Sequence, residues 1–345
     1  MKERDLFLKS GYLNVNAIMD CEYPFVFIIG ARGIGKTYGI LKYIKENGIN
    51  SIIMRRTQVE VDIISNPAFH PYKKLCSDKG WSMTTKPVTK GVTGICEIHD
   101  DGETGGPFAY IAALSTFANL RGFDSSDVDL IYLDEFIPEP SKKSLIKNEF
   151  EALLNAYETV NRNRELEGKQ PVKLICSANS NTIDNPYFIG LEIVNKIYSM
   201  QNKGKMIFCD SHRGLMVINL VNSPISRAKQ ETVLYKLSGS GNFSAMALSN
   251  EYSGYDDKRI SNKENMIEYR PLFTVGEITM YKHKSKTRYY VSTHRRGAPD
   301  TYTASSDDIA RCKNRYAFIV ATAFYDDKIL FEDVVSQILF CKYLL

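Results

Sequence analysis

Short apolar runs alternate with amphipathic stretches along the first half of the chain. Four runs are of strand length and rich in apolar residues: residues 24–29, 51–56, 128–133 and 172–176. Such runs are typical of strands that are buried on both faces of a parallel sheet. Residues 37–46, after the first run, are amphipathic and end at Asn47-Gly48, which predicts a helix with its stop signal. The pattern predicts an α/β fold with a mainly parallel sheet.

A longer amphipathic stretch separates the last two of these runs. Its apolar residues recur at spacings of three and four and predict one buried helix face: Ile146, Phe150, Leu153, Leu154, Tyr157 and Val160. Gly168 and Pro171 mark the end of this helix. Two further runs, residues 95–99 and 108–112, flank a glycine-rich turn and predict a β-hairpin.

The pattern changes beyond about residue 206. Residues 215–221 predict a last strand, and a polar helix follows. Residues 238–255 are rich in serine, glycine and asparagine, which is typical of a connector that buries little surface. Strand character returns after about residue 266. We therefore predict a main domain at 1–205, a connector at 206–265 and a small α+β carboxyl-terminal domain at 266–345.

The first apolar run leads into a glycine-rich loop and then into the predicted helix. The loop reads Gly30-Ala31-Arg32-Gly33-Ile34-Gly35-Lys36-Thr37, which matches the G-x-x-x-x-G-K-[ST] pattern of phosphate-binding loops. Glycines let successive backbone N–H groups turn toward phosphate oxygens, and the helix directs its positive dipole end at the same anion. Lys36 is predicted to reach the β and γ phosphates, and the Thr37 hydroxyl to bind Mg²⁺. The loop predicts a nucleoside triphosphate site; a glycine-rich turn that only caps a strand is the alternative.

Two acidic residues directly follow the apolar run at 128–133. Asp134 and Glu135 are expected at the edge of the sheet where the phosphate loop also emerges. Asp134 is placed to hold Mg²⁺, directly or through water, and Glu135 to polarise the attacking water as general base. A solvated strand end is the alternative. With the loop, the acids predict hydrolysis as well as binding.

The base of the nucleotide is predicted to be adenine. A GTPase would more often carry an Asn-Lys-x-Asp guanine reader. The nearest string is Thr84-Thr85-Lys86-Pro87, which lacks the final acid. ATP is therefore favoured over GTP.

The composition is typical of a globular protein and argues against a membrane, secreted or disulfide-rich protein. The chain has 345 residues, 43% hydrophobic and 24% charged, which is ordinary for a globular protein and long enough for two domains. No apolar run approaches the ~20 residues of a membrane span, and the polar start predicts no secretion signal. Seven cysteines without C-x-x-C spacing favour reduced thiols in the cytoplasm over disulfides or a zinc site. The net charge of +4 permits a nucleic-acid partner without arguing for one.

Several sequence features together resemble a known family. They are the phosphate loop with its unusual Arg32, and the segments Asp134-Glu135-Phe136-Ile137, Arg162-Asn163-Arg164-Glu165 and Asn185-Pro186-Tyr187-Phe188. In order and approximate spacing, over about the first 200 residues, they resemble the DNA-packaging (encapsidation) ATPases of small tailed phages of the phi-29-like group. Residues 114–122 also resemble the stretch that precedes the acidic motif in the large terminase subunits of other tailed phages.

The resemblance implies an activity and a set of partners. It implies a P-loop ATPase of the additional-strand (ASCE) class that hydrolyses ATP with Mg²⁺ and moves double-stranded DNA into a preformed prohead. It implies a homo-oligomeric ring, expected to be a pentamer, at the phage portal, with a packaging RNA as a further candidate partner and no membrane. The expected location is the host cytoplasm during infection and, transiently, the portal vertex. The carboxyl-terminal domain is expected to resemble a vestigial RNase H-like nuclease.

The resemblance also implies roles for single residues. Arg162 matches the arginine that reaches a neighbouring subunit's ATP as a finger, and Arg164 is a second candidate. On the predicted helix the two would lie ~200° apart, and two arginines that complement the helix dipole are the alternative. Arg32 is expected either to contact the γ-phosphate in its own subunit or to form a salt bridge. Asn179 is expected to sense the γ-phosphate, with a turn-starting asparagine as the alternative.

Candidate nucleic-acid contacts lie mainly in the carboxyl-terminal domain. They are Lys282, Lys284, Lys286 and Arg288. On a strand these side chains would share one face, and such a basic row suits a phosphate backbone. A lysine-protected edge strand is the alternative. Arg121, in the terminase-like segment, is a further candidate, and Arg55 and Arg56 at a strand end are expected to face nucleotide, DNA or solvent.

Two other functions fit the motifs alone. One is a helicase-like or DNA-pumping ATPase that is unrelated to capsids. The other is a nucleotide-gated binding protein that changes conformation without moving DNA. Only the family resemblance separates the first from packaging, whereas strong stimulation of ATP hydrolysis by double-stranded DNA would argue against the second.

Overall fold

Two units divide the chain. The structure is a computed structural model that describes residues 2–120, 122–138, 146, 148–221, 223–238, 250 and 252–345. The first unit contains Met1–Leu191 and Ser199–Tyr252, and the second contains Glu192–Tyr198 and Ser253–Leu345. Each unit has its own sheet and its own hydrophobic core.

The first unit is built on a nine-stranded sheet. Its strands are β1 (Phe25–Gly30), β2 (Ser51–Arg55), β3 (Met83–Thr89), β4 (Val92–Ile98), β5 (Thr104–Ala113), β6 (Leu130–Asp134), β7 (Lys173–Ala178), β8 (Ile207–Asp210) and β9 (Leu215–Leu220). Their order is β3-β4-β5-β2-β6-β7-β1-β9-β8. The six strands from β5 to β9 in this order pair in parallel, while β4 and β8 pair antiparallel with their neighbours. The predicted α/β fold with a mainly parallel sheet is confirmed, as is the hairpin, formed by β4 and β5.

Strand β7 lies between β6 and β1 and pairs in parallel with both. Strand β6 ends at the first of the predicted acids, and β1 leads into the glycine-rich loop. The predicted additional strand between the two motifs is therefore confirmed. All three strands are buried along almost their whole length, which explains why their sequences are apolar on both faces.

Helices follow most of these strands. Up to residue 238 they are α1 (Val15–Met19), α2 (Lys36–Glu46), α3 (Gln58–Ile64), α4 (Lys73–Lys79), α5 (Glu149–Asn161), α6 (Pro186–Gly190), α7 (Val194–Lys203), α8 (Pro224–Lys229) and α9 (Val233–Ser238). Helix α2 confirms the helix predicted after the loop. Helix α5 ends earlier than the predicted stop at Gly168, because Arg162 adopts a left-handed φ of 48° that cannot continue the helix.

The second unit is a small α+β unit. Its strands are β10 (Tyr269–Val275), β11 (Ile278–His283), β12 (Tyr289–Ser292), β13 (Asp300–Tyr302) and β14 (Ile329–Phe331), and its longer helices are α10 (Ser306–Tyr325) and α11 (Val334–Leu344). The strand order is β13-β10-β11-β12-β14. The three central strands are antiparallel, and each outer strand pairs in parallel with its neighbour. Phe273 and Val291 of the sheet share one core with Val320 and Phe340 of the helices.

The division of the chain differs from the predicted boundaries at 205 and 265. The first unit continues through Tyr252, because β9 is buried along its whole length and extends the large sheet beside β1. The predicted connector is thus partly a structural element of the first unit. Most of its serine- and glycine-rich stretch, residues 239–249 and 251, lies outside the described residues. Among the described helices, none has the length and apolar character needed to cross a membrane.

Candidate functional site

The glycine-rich loop connects the end of β1 to the start of α2. Gly33 and Gly35 have φ values of 70° and 92°, a left-handed region that favours glycine. Neighbouring side chains also lie close to both glycines. A β-carbon at Gly35 would lie 3.3 Å from the Tyr12 ring, and one at Gly33 would lie 2.3 Å from Nζ of Lys229. The loop therefore brings backbone N–H groups and a helix amino terminus together, as a phosphate site requires.

Lys36 opens α2 and folds back over the loop. Its side chain is 8% exposed, and Nζ donates hydrogen bonds to the carbonyl oxygens of Gly30 at 2.6 Å and Ala31 at 2.9 Å. It also donates to Oδ1 of Asn179 at 3.3 Å, just past the end of β7. Burial lowers the pKa of Lys36 to about 8, against the opposing effect of the Asp134 carboxylate. The cation is thus held beside the loop by carbonyl and amide oxygens and near the Asp134 carboxylate.

Asp134 lies at the end of β6 and is 3% exposed. Its carboxylate accepts hydrogen bonds from Oγ1 of Thr37 at 3.1 Å and from Oγ of Ser177 at 2.7 Å. Tyr132 holds Ser177 in turn through a 2.8 Å contact between the two hydroxyl groups. A hydroxyl from the loop and a carboxylate from the neighbouring region of the sheet therefore meet at one point. These oxygen donors are the ligands that Mg²⁺ prefers.

Glu135 follows Asp134 but has a different environment. Its side chain is 62% exposed, and its backbone has a φ of 58°, which is uncommon for a residue other than glycine. Arg55, at the end of β2, lies 3.0 Å from the Glu135 carboxylate and 2.8 Å from that of Asp134. The two acids thus separate into a buried ligand-type carboxylate and a more accessible carboxylate. That separation suits the division of roles predicted from the sequence.

A cavity of about 1140 Å³ opens beside the loop and the two acids. Of the residues predicted to bind nucleotide or metal or to act in catalysis, those that line it are Arg32, Gly33, Gly35, Lys36, Thr37, Asp134, Glu135 and Asn179. Ala31 and Ile34 are fully buried, and Gly30 ends β1 against Leu220. The predicted loop, acids and asparagine therefore surround one space.

Arg162 and Arg164 lie at the opposite edge of the sheet. Asn161, the last residue of α5, accepts a hydrogen bond from the backbone of Val172, immediately before β7 begins. The cavity lies at the other end of β7, and a strand of six residues spans ~20 Å. Neither arginine can therefore reach the cavity of the same chain.

The two arginines differ in their contacts. Arg164 donates to the Asp129 carboxylate at 3.1 Å and to the Ser126 carbonyl at 3.2 Å. Arg162 is exposed, and its Nε makes a long contact of 3.4 Å to the Thr159 carbonyl. The predicted ~200° separation on a helix was wrong, because the helix ends before both residues.

The candidate nucleic-acid residues do not form the predicted row. Only Lys282 lies on β11, which ends at His283; Lys284, Lys286 and Arg288 lie in the connection to β12. All four are exposed. The alternative of an edge strand was also wrong, because β11 is the central strand of its sheet. Arg121 lies outside the described residues.

His283 shapes the connection that carries these basic residues. Its Nδ1 accepts hydrogen bonds from the backbone N–H groups of Ser285 and Lys286, both at 3.1 Å. Its Nε2 lies 3.0 Å from the Glu268 carboxylate. The basic residues are thus presented on a hydrogen-bonded turn, a geometry that the strand hypothesis had not anticipated.

Several residues at the site were not found by sequence reasoning. Lys229 of α8 donates to the Arg32 carbonyl at 2.6 Å, and Tyr12 packs on Gly35. Sequence reasoning named Arg56 but not its partner: it is buried and forms an ion pair with Glu149 at the start of α5, with Nη2 and Oε2 at 2.8 Å, instead of facing solvent. No local signal marks these residues, since each pairs with a distant part of the chain.

Comparisons with known proteins find relatives among phage DNA packaging proteins. The family model described as podovirus DNA encapsidation protein (Gp16) matches residues 7–318. The DNA packaging proteins of Bacillus phages PZA and phi29 are each 27% identical over 348 residues, covering 95% of this chain and 96% of each relative. Among solved structures, the bacteriophage phi-29 viral genome packaging motor assembly contains a chain with a TM-score of 0.66 at 21% identity, over 96% of this chain and 98% of that one. The Phi-28 gp11 DNA packaging motor gives 0.58 at 18%, over 95% of both chains. The two structural matches concern the fold.

Proposed function

The chain belongs to the podovirus DNA encapsidation protein family, and we propose that it is the ATP-hydrolysing motor that moves double-stranded viral DNA into a phage prohead. DNA packaging is the named role of its curated phage relatives, which it matches over nearly its whole length. The observation that carries the hydrolytic part is the meeting of Lys36, Thr37, Asp134 and Glu135 at one cavity.

Different residues of the site bind the phosphates of ATP and activate the attacking water. The backbone of the loop and Lys36 bind the phosphates, and Arg32 and Asn179 line the cavity where they contact the γ-phosphate. Glu135 orients the attacking water and accepts its proton, a role that its exposed carboxylate permits. Arg55 holds that carboxylate in place from β2.

Mg²⁺ fits the oxygen donors at the end of β6. Thr37 and Asp134 would hold it, and their oxygens already lie 3.1 Å apart. When bound, Mg²⁺ neutralises charge on the phosphate oxygens. Ser177 and Tyr132 keep the Asp134 carboxylate oriented toward Thr37.

The motor acts as a ring of identical subunits, expected to be a pentamer. Arg162 completes the site of a neighbouring subunit, because it is exposed and lies at the sheet edge opposite its own cavity. Arg164 is held by Asp129 in its own subunit, which favours Arg162 as the finger. A guanidinium supplied in this way stabilises the charge on the transferring phosphoryl group and links hydrolysis in successive subunits.

The second unit serves as an attachment and nucleic-acid-binding unit without nuclease activity. Its basic turn, with Lys282, Lys284, Lys286 and Arg288, binds a phosphate backbone of DNA or of a packaging RNA at the portal. Its acids hold structural contacts instead of converging: Glu277 accepts from Tyr343, and Asp300 forms an ion pair with Arg315. We therefore regard the unit as a vestigial form of a nuclease-like domain. Metal-dependent cutting of plasmid DNA by the purified chain would contradict this assignment.

Two variants test the hydrolytic assignment in a packaging assay with purified proheads. Lys36→Ala is expected to lose ATP binding and packaging together. Glu135→Gln is expected to bind ATP normally but to hydrolyse it about 10²- to 10⁴-fold more slowly, the range that general acid–base catalysis supplies. Equilibrium ATP binding and single-turnover hydrolysis are measured on both variants. Normal turnover by Glu135→Gln would refute its role as base, and hydrolysis without DNA uptake by the native chain would refute packaging.

A further inference from the structure

The cavity extends beyond the phosphate loop along the amino-terminal segment. Past the glycines and acids, its lining includes Leu8, Tyr12, Tyr38 and Lys42. Its volume of about 1140 Å³ is slightly above the ~300–1,000 Å³ that ligand pockets usually enclose. The cavity is therefore larger than a phosphate chain alone needs.

The amino-terminal wall of the cavity is fixed to the loop. Residues 7–13 form a short hairpin in which Phe7 bridges to Leu13 and the Leu8 N–H donates to the Tyr12 carbonyl at 2.8 Å. The Leu13 N–H donates to the Ile34 carbonyl at 3.0 Å, inside the phosphate loop itself. The hairpin is thus held at a set distance from the phosphate site.

Close packing on α2 fixes the same segment a second time. A β-carbon at Gly39 would lie 2.4 Å from Val15 of α1, so the two helices are in direct contact. Leu6, Leu13 and Ile18 belong to the core of the first unit and are at most 3% exposed. The segment is therefore a permanent wall of the cavity.

Two side chains of the hairpin remain partly uncovered at this wall. Tyr12 is 47% exposed and Leu8 is 48% exposed, whereas Gly11 and Leu13 of the same hairpin are buried. Tyr12 also packs against Gly35, so its ring borders the phosphate loop directly. An aromatic ring beside an anion site is the surface that a nucleotide base uses for stacking. Ser10 and Asn16 line the same wall and supply polar groups beside the ring.

We infer that the hairpin of residues 7–13 forms the base-binding wall of the site, with Tyr12 as the stacking residue and Leu8 beside it. The ligand class is a nucleoside triphosphate that is held by its base as well as by its phosphates. The inference rests on the proposed function, because it assigns the phosphates of the same ligand to the loop. It adds a specificity-determining residue that lies well before the phosphate-binding motif.

Comparing ATP with inorganic triphosphate tests the inference, because the second ligand has phosphates but no base. Dissociation constants are measured for both, with Mg²⁺, by titration calorimetry. Tyr12→Ala is expected to weaken ATP binding about tenfold, within the range that stacking of one base supplies, and to leave triphosphate binding within about twofold. Tyr12→Phe keeps the ring and is expected to bind both ligands as the native chain does. Lys9→Ala changes an exposed residue of the same hairpin that does not line the cavity, and it is the matched control.

The native chain supplies a measurement that does not depend on how the variants fold. It is expected to bind ATP about tenfold more tightly than triphosphate. Equal affinity for the two ligands would overturn the inference and leave the proposed function standing. The inference would also be overturned if Tyr12→Ala weakened the binding of both ligands equally, or if it left the affinity for ATP unchanged. If the native chain binds neither ligand, both the proposed function and the base-binding site are refuted.

Discussion

The large sheet has a carboxyl edge, where its parallel strands end, and an amino edge, where they begin. These two edges differ in how completely their charged residues are paired. At the carboxyl edge, Asp134 and Lys36 are buried and have several partners each within the same chain. At the amino edge, Arg162 is exposed, and its Nε makes a long contact of 3.4 Å to the Thr159 carbonyl. The carboxyl edge is therefore assembled by the fold of one subunit. The amino edge presents a charged group that one subunit does not use at its own site.

This difference separates the interactions that depend on the folding of one chain from those that are available to a neighbouring copy. A buried charge must be paired within the fold, since removing it from water is costly. An exposed arginine needs no partner in the folded monomer and is available to a neighbouring copy. Changes at the carboxyl edge should therefore act on every isolated subunit, and changes at Arg162 should act only within the assembly.

The largest expected effect tests the amino edge. Arg162→Ala is expected to lower the kcat of DNA-stimulated ATP hydrolysis about 10³-fold or more, as loss of an arginine finger does. Arg164→Ala is the matched control and should cost less than about tenfold, because that arginine pairs with Asp129 in its own subunit. Mixing Arg162→Ala subunits with Glu135→Gln subunits should restore part of the activity. Absence of any recovery, at every ratio, would contradict action between subunits.

A stability comparison between two ion pairs sharpens the same contrast. Glu149→Gln leaves the Arg56 guanidinium buried without its carboxylate, and we expect it to lower the free energy of unfolding by about 3–5 kcal/mol. Asp129→Asn breaks the more exposed pair with Arg164 and should cost about 1 kcal/mol or less. Urea denaturation of the two variants measures both values. Similar losses would show that the edges do not differ in the way described.

The smallest effect concerns the proton on Lys36. Its pKa is lowered to about 8 by burial, and a bound triphosphate would raise it by favouring the charged form. ATP binding near pH 8 should therefore take up a proton, and affinity should fall by at most about tenfold per pH unit above that value. Below about pH 7 the lysine is already charged and no uptake is expected. Calorimetry in buffers of different ionisation enthalpy measures the uptake. Lys36→Arg, which stays protonated, should abolish it; persistence of the uptake in that variant would point to another group.

The sequence predicted those parts of the site that are local in the chain. The loop from Gly30 to Thr37 and the pair Asp134-Glu135 each lie at the end of a buried apolar strand. The apolar run therefore supports the assignment of the motif, and the motif supports the assignment of the strand. Parallel pairing then fixes where those strand ends meet. The mainly parallel sheet and the additional strand β7 followed from the same runs.

The parts that could not be predicted join distant segments. Arg56 pairs with Glu149, which lies 93 positions away, and no pattern in either segment indicates the partner. The row of basic residues was wrong because His283 bends the backbone after β11, through hydrogen bonds that periodicity does not encode. The first unit extends beyond the boundary predicted at 205, because the strand predicted at 215–221 pairs with β1, and composition does not encode that pairing.

The pairing of β9 with β1 bears on how this chain can be divided or recombined with its relatives. A fragment that stops at the predicted boundary would leave the outer edge of β1 without its hydrogen-bonding neighbour, from Phe25 to Gly30. Open edges of this kind invite pairing with other polypeptides. Such a fragment would also lack Lys229, which contacts the phosphate loop. A junction for chimeric proteins therefore belongs after Tyr252, so that the exchanged fragment keeps β9 paired with β1.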